Sequence, residues 1–348
     1  MLNQWEMRLR KYTFLYGGII ALGILVFSCK NHKVPSAEAL FFSDSLNTTW
    51  SILDCKSIVP VGNSMIVKDS VIILAGHLDG KFLHCYNIGN GELLGSYISL
   101  GQGPDEIINP WTVNLSDTIS IFDLAKKSLM FYDKDYNFIK AVSLSKKDKP
   151  MSVVVPVSSE LAIFKVPLQT STDDDYYGWE MSYLSNPNKT VSRYDDLPSC
   201  VENNPRALGV INALMVLSPD KKHFAYGTTT GGVLQTFDIS NNSFKPIISE
   251  YLFPVEFDAD GKVIRETRHI GFTALTADNS YLYGAFAGTT DEFESTKIGI
   301  WNWDGTPELL IKTDAPILSM TKDEMSNKLY ALIYENEEFK LAYISMPD

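Results

Sequence analysis

The 348-residue sequence predicts an all-β chain: a six-bladed β-propeller closed by an N-terminal strand that completes the last blade. Three observations carry this. Runs of β-branched and aromatic residues recur between Gly, Asn, Asp or Pro, the pattern of strands and hairpins, with no long helical periodicity after residue 45. Six apolar runs end in a bulky residue followed by a small polar one and, in the first five, a turn. The pairs are Tyr86-Asn87, Tyr132-Asp133, Leu184-Ser185, Phe237-Asp238, Trp303-Asp304 and Ile344-Ser345, spaced by 46, 52, 53, 66 and 41 residues. About 50 residues per unit of four strands is the period of propeller blades. Finally, the last unit stops without an outer strand, while an orphan strand at 49–59 precedes the first unit.

The chain opens on Arg8, Arg10 and Lys11, an apolar run over 14–27, and Val26-Phe27-Ser28-Cys29. Positive charge, a short apolar core and a small residue before Cys read as a secretory signal. The Cys makes it resemble a bacterial lipoprotein signal, which implies cleavage after Ser28 and lipidation of Cys29. An uncleaved anchor is the competing reading, but the run is shorter than the roughly 20 residues a membrane helix needs. Gly17, Gly18 and Gly23 weaken such a helix further. The expected organisation is a signal peptide over 1–28, a lipidated N-terminus and tether over 29–47, and the propeller over 48–348. The expected location is the bacterial cell envelope, lipid-anchored on the periplasm-facing side of the outer membrane. Lys30-Asn31-His32-Lys33 lacks the acidic run that resembles a surface-export signal.

Removing the signal, with three basic residues and one acidic, takes the formal charge from −12 to −14. Such a chain is a poor match for nucleic acid or for electrostatic docking on anionic lipid. Membrane attachment is therefore expected through Cys29 alone, and a monomer is expected. Cys55, Cys85 and Cys200 remain, an odd number without zinc spacing. Three buried thiols are the first reading, with a Cys55–Cys85 disulfide as the second.

Within the blades, strands are expected upstream of each pair, at 71–75, 118–122, 161–165, 223–228, 281–285 and 328–333. Further strands follow the turns, as at 92–100 and 138–144. The orphan strand at 49–59 is expected to pair with the final unit, closing the ring and leaving no open edge. The longest spacing holds an insertion near 251–268, read as an extra hairpin turning at Asp260-Gly261. Between the first two units lies Gly101-Gln102-Gly103-Pro104-Asp105-Glu106.

Six weak β repeats, a lipoprotein-type Cys and this Gly-x-Gly-Pro-x-Glu segment resemble the six-bladed, TolB-like propeller lipoproteins of Bacteroidetes, over about residues 48–348. The resemblance implies the fold and an envelope location. It transfers no catalytic residue.

Residues 101–106 lack the third Gly and the Lys-Ser/Thr of a phosphate loop. They read as a rigid turn in which Gly101 and Gly103 allow positive φ and Pro104 fixes the chain. As ligand-rim candidates the segment offers Gln102, Asp105 and Glu106. A second rim candidate is Tyr176, Tyr177 and Trp179, after the acidic run Asp173-Asp174-Asp175. Those carboxylates could hold calcium, or the rings could fold onto a blade. Asp258-x-Asp260-Gly261 matches half of a calcium loop, but its Gly falls too early and a turn is the better reading. His77, His223 and His269 have no local metal spacing, although a propeller could gather them in its channel. No metal site, cofactor or catalytic residue is assigned. The expected function is non-enzymatic binding of a protein, peptide or glycan partner on one face. The alternative is a metal-dependent lyase or hydrolase in the central channel.

Overall fold

The structure is a computed structural model. It describes residues 42–347 except 117, 148–150, 152, 169–175, 196–212, 254–255, 257, 259–263, 265–266, 292–293 and 324. Two short strands come first, β1 (Ser45–Asn47) and β2 (Ser51–Ile52). Blade one is β3 (Gly62–Lys68), β4 (Val71–Leu78), β5 (Lys81–Asn87) and β6 (Leu93–Ser99). Blade two is β7 (Pro110–Asn114), β8 (Ile119–Asp123), β9 (Ser128–Tyr132) and β10 (Phe138–Ser143). Blade three is β11 (Val153–Pro156), β12 (Leu161–Leu168), β13 (Tyr176–Tyr183) and β14 (Asn186–Tyr194). Blade four is β15 (Ala213–Leu217), β16 (His223–Thr228), β17 (Val233–Asp238) and β18 (Lys245–Tyr251). Blade five is β19 (Phe272–Ala277), β20 (Tyr281–Phe286), β21 (Lys297–Asn302) and β22 (Pro307–Lys312). The last blade holds β23 (Ile317–Asp323), β24 (Lys328–Glu335) and β25 (Glu338–Ser345). Each blade is an antiparallel meander in sequence order, from its inner strand outward.

The middle strands are continuous apolar runs because both faces of a blade are covered by neighbouring blades. On β4, Ile72 and Leu74 pack with Leu332 and Leu341 of blade six, while Ile73 and Ala75 pack toward Ile121 and Met130 of blade two. The same division recurs on β8, where Phe122 meets Ala162 and Phe164 of blade three and Ile121 faces blade one. Outer strands have one face in solvent, so β10 is exposed at five of its six positions. Between blades four and five, Phe272 is fully buried where a Cβ on Gly227 or Gly284 would lie 2.6 or 2.5 Å from its ring.

The repeated bulky-polar pair has a local cause. The bulky members, Tyr86, Tyr132, Leu184, Phe237, Trp303 and Ile344, are all buried. In four blades the polar member accepts a backbone N–H two residues on: Asn87 from Gly89 (2.8 Å), Asp133 from Asp135 (2.9 Å), Asp238 from Ser240 (2.9 Å) and Asp304 from Thr306 (2.9 Å). These are Asx turns. The backbone donors of Asn137 and Thr306 hold the Asp133 and Asp304 carboxyls below their ordinary value.

Ring closure is as expected in kind and different in extent. β2 pairs antiparallel with β25, Ser51 opposite Tyr343 and Ile52 opposite Ala342, and Leu53 N–H donates to Leu341 O at 2.8 Å. The ladder ends there, short of the expected 49–59, because Leu53 and Val59 then bury themselves between blades six and one. The end of the expected tether is paired with the propeller. Residues 45–47 form β1, parallel to β22 on the rim of blade five, and Phe42 packs 5.2 Å from Trp301.

The insertion's turn residues, Asp260 and Gly261, lie outside the described residues. Ile264 N–H donates to Glu256 O at 2.9 Å across it. Among the described residues no helix is long and apolar enough to cross a membrane. The signal segment and Cys29 lie outside them.

Candidate functional site

The inner strands β3, β7, β11, β15, β19 and β23 surround a cavity of about 990 Å³. Every blade starts at its inner strand, so these strands run the same way along the channel. It therefore has a leading mouth, where they begin, and a trailing mouth, where they end.

At the leading mouth the register of β7 against β8 slips between Pro110 and Thr112, leaving Trp111 outside the ladder. A bulge of this kind re-aims a side chain. Trp111 lines the cavity while 47% exposed, an unusual position for an indole. Lys165 stands opposite Val153, the first residue of β11, and so reaches the same level of the wall. Burial pushes its ammonium pKa down to about 8. His77 and Thr229 also line the cavity. His77 follows Gly76, the partner of Gly62 at the head of β3, and Thr229 follows Thr228, the partner of Ala213 at the head of β15.

The chain entering β7 is held by two carboxylates. Asp123 is fully buried and accepts from Ile108 N–H (2.7 Å), Asn109 N–H (3.3 Å) and Lys126 N–H (3.0 Å). Glu106 turns inward and accepts from Gly103 N–H at 2.7 Å. The Lys126 ammonium donates to Glu106 O at 2.7 Å and to Gly103 O at 2.5 Å. Gly101 and Gly103 do not adopt positive φ, contrary to expectation. They are glycines because the Glu106 carboxylate lies over them: a Cβ on Gly101 would sit 2.2 Å from its Oε2, and one on Gly103 3.0 Å from its Cδ. Residues 101–106 are thus a brace that sets the approach of β7 and the aim of Trp111.

The rim candidates are placed apart. Gln102 and Asp105 are exposed, whereas Glu106 is half-buried and occupied by the brace. Trp179 is not on a rim. It is 3% exposed, with ring centroids 4.9 Å from both Phe224 and Tyr226, because β13 turns it toward blade four. Tyr176 and Tyr177 pair through their backbones with Leu168 and Pro167. Their side chains, and Asp173, Asp174 and Asp175, lie outside the described residues.

The three histidines are engaged separately. His77 meets Phe82 edge-on at 5.5 Å, His223 stacks on Trp303 at 4.9 Å, and His269 stacks on Phe253 at 5.4 Å. Among the described residues no three His, Cys, Asp or Glu side chains gather closely enough to hold a metal ion. Cys55 and Cys85 are free thiols, not a disulfide, and Cys85 donates to the Tyr136 hydroxyl at 3.0 Å. Burial raises both thiol pKa values. Cys200 lies outside the described residues.

Sequence reasoning missed Trp111 and Lys165. A signal for Lys165 was present, since it interrupts the apolar run of β12. Trp111 offered less, because its exposure follows from a bulge.

No family model and no curated protein matches the chain. Among solved structures it is similar to a candidate exported protein of Bacteroides fragilis, at 10% identity and TM-score 0.55, over 87% of this chain and 100% of the other. It is also similar to the computationally designed Ika8 protein, at 11% identity and TM-score 0.45, over 85% of this chain and 100% of that one. At such identity the likeness to the exported protein carries the fold alone, in keeping with the six blades seen here.

Proposed function

We propose that this chain is a lipid-anchored envelope propeller of the TolB-like lipoprotein kind, which binds a protein, peptide or glycan partner at one mouth of its ring without transforming it. The signal-like start and Cys29 support export and anchoring on the periplasm-facing outer membrane. The likeness to a candidate exported protein agrees with export. The observation that carries binding is Trp111, an indole 47% exposed on the wall of the channel and braced from behind by Glu106 and Asp123. Exposed aromatic surface held rigidly in a concavity is characteristic of ligand sites.

Capture from the native envelope tests this reading. The full-length chain and its Trp111→Ala variant would each be cross-linked in the membrane and purified. A partner retained by the first and lost from the second supports the reading. Equal recovery from both, or turnover of the captured molecule, overturns it. Membrane retention that survives Cys29→Ser overturns the lipid anchor.

A further inference from the structure

We propose that the leading mouth binds an acidic sugar, a pyranose bearing a carboxylate, with its ring stacked on Trp111 and its carboxylate held by Lys165. This rests on the binding-propeller reading and names its ligand class. Three features of the channel select that chemistry.

The first is charge. The chain carries −12 overall, yet the described lining of the channel holds four lysines (Lys68, Lys165, Lys221, Lys322) against two aspartates (Asp69, Asp323). Screening over about 8 Å at physiological salt hides the outer acidic surface from a ligand inside the channel, so the local sign governs. Three of those lysines lie at the trailing end, and Lys165 is the lysine of the leading mouth. Its ammonium is poorly solvated by water, which makes an incoming carboxylate a strong partner.

The second feature is the indole. A pyranose presents an apolar C–H face that covers an aromatic ring, and Trp111 offers such a ring within the cavity. The third is the remaining wall. Asn109, exposed and two residues before Trp111, supplies an amide suited to sugar hydroxyls. An aromatic acid would use the indole and the lysine but leave that amide without a ligand partner. The volume, about 990 Å³, suits a few sugar units rather than a folded domain.

Titration calorimetry on the full-length chain in detergent micelles tests this, with trigalacturonate and its methyl triester as probes. The ester keeps the sugar faces and hydroxyls and removes the charge. The acid is expected to bind about tenfold more tightly than the ester, the scale of one charged hydrogen bond. Lys165→Gln should erase that preference while leaving the ester unchanged, and Lys165→Arg should keep it. Trp111→Ala should weaken acid and ester alike by about tenfold or more. Thermal melting checks that each variant is folded. Equal affinity for acid and ester, or no effect of Trp111→Ala, overturns the proposal. If neither probe binds while envelope capture still depends on Trp111, the ligand class falls and the binding reading stands. Cleavage of a bound probe instead supports the site and overturns the non-enzymatic reading.

Discussion

The two mouths of the channel carry similar residue types and use them differently. At the trailing mouth, the charges sit in the turns or in the strand residues that lead into them. Asp69 and Ser70 both have positive φ (48° and 62°) and close β3 onto β4 as a two-residue hairpin, a place where Asp is tolerated. Lys221 sits at φ 58° in the turn after β15. Asp323 accepts from Met325 N–H at 3.1 Å and from the Ser326 hydroxyl, and Lys322 donates to Asp323 O at 3.0 Å. At the leading mouth the charged group on the wall, Lys165, lies within a strand, while the acids that shape the mouth are turned inward onto backbone. A charge in a tight turn needs no ligand to explain it. An indole half-exposed on a channel wall does.

The largest expected effect separates the mouths by stability. Asp123→Ala leaves three backbone N–H groups without their acceptor in a buried site and should cost about 3 kcal/mol in urea unfolding. Asp323→Ala frees donors that water can reach and should cost about 1 kcal/mol or less. Equal losses would mean that both mouths are braced alike. Gly101→Ala comes next. Its Cβ forces the Glu106 carboxylate aside and breaks the bond to Gly103 N–H, for about 1–2 kcal/mol and a weaker Trp111-dependent affinity.

These variants also mark what could be read from the sequence. The blades were legible because the bulky-polar pair is a local device, a buried side chain followed in four blades by an Asx turn. Residues 101–106 were legible as rigid, but the reason was not. Positive φ is the usual cause of a Gly-x-Gly spacing, whereas here the cause is a carboxylate three to five residues away folding back over the glycines. Trp179 and Trp111 show the same limit in opposite directions. Beside acidic and aromatic residues, Trp179 looked like a rim residue, yet strand register buries it between blades. Trp111, in an unremarkable stretch, is carried onto the channel wall by a bulge. Register and bulges depend on long-range pairing, which spacing alone does not encode.

A smaller effect comes from acid, and it falls on the leading side. His84 is fully buried, its Nε2 3.1 Å from Gly76 O and its Nδ1 2.9 Å from Ser96 Oγ. A carbonyl only accepts, so Nε2 carries the hydrogen and Nδ1 accepts from the Ser96 hydroxyl. Burial lowers the folded pKa below the ordinary 6.5. Between the folded pKa and 6.5 the unfolded chain binds more protons than the folded one, so stability is intact above that window and declines as pH falls through it. Gly76 leads directly into His77 on the channel wall, which couples this loss to the leading mouth. The urea midpoint should fall from pH 7.5 to about 5.5, with a shallower slope in His84→Gln. An unchanged slope would place the acid sensitivity elsewhere.

The smallest expected effect is the sharpest check on the comparison. Lys221→Asn removes a trailing-mouth cation and puts in its place the residue that, after glycine, best tolerates φ 58°. Stability should stay within about 0.5 kcal/mol of the parent or rise slightly, as for an exposed turn position. Trigalacturonate affinity should change by less than about twofold, since a solvated charge at the far end of the channel is screened from the leading mouth. If affinity instead fell as far as in Lys165→Gln, the ligand would have to reach from one mouth to the other. The trailing turns would then belong to the site, and their charges would be recognition groups as well as turn residues.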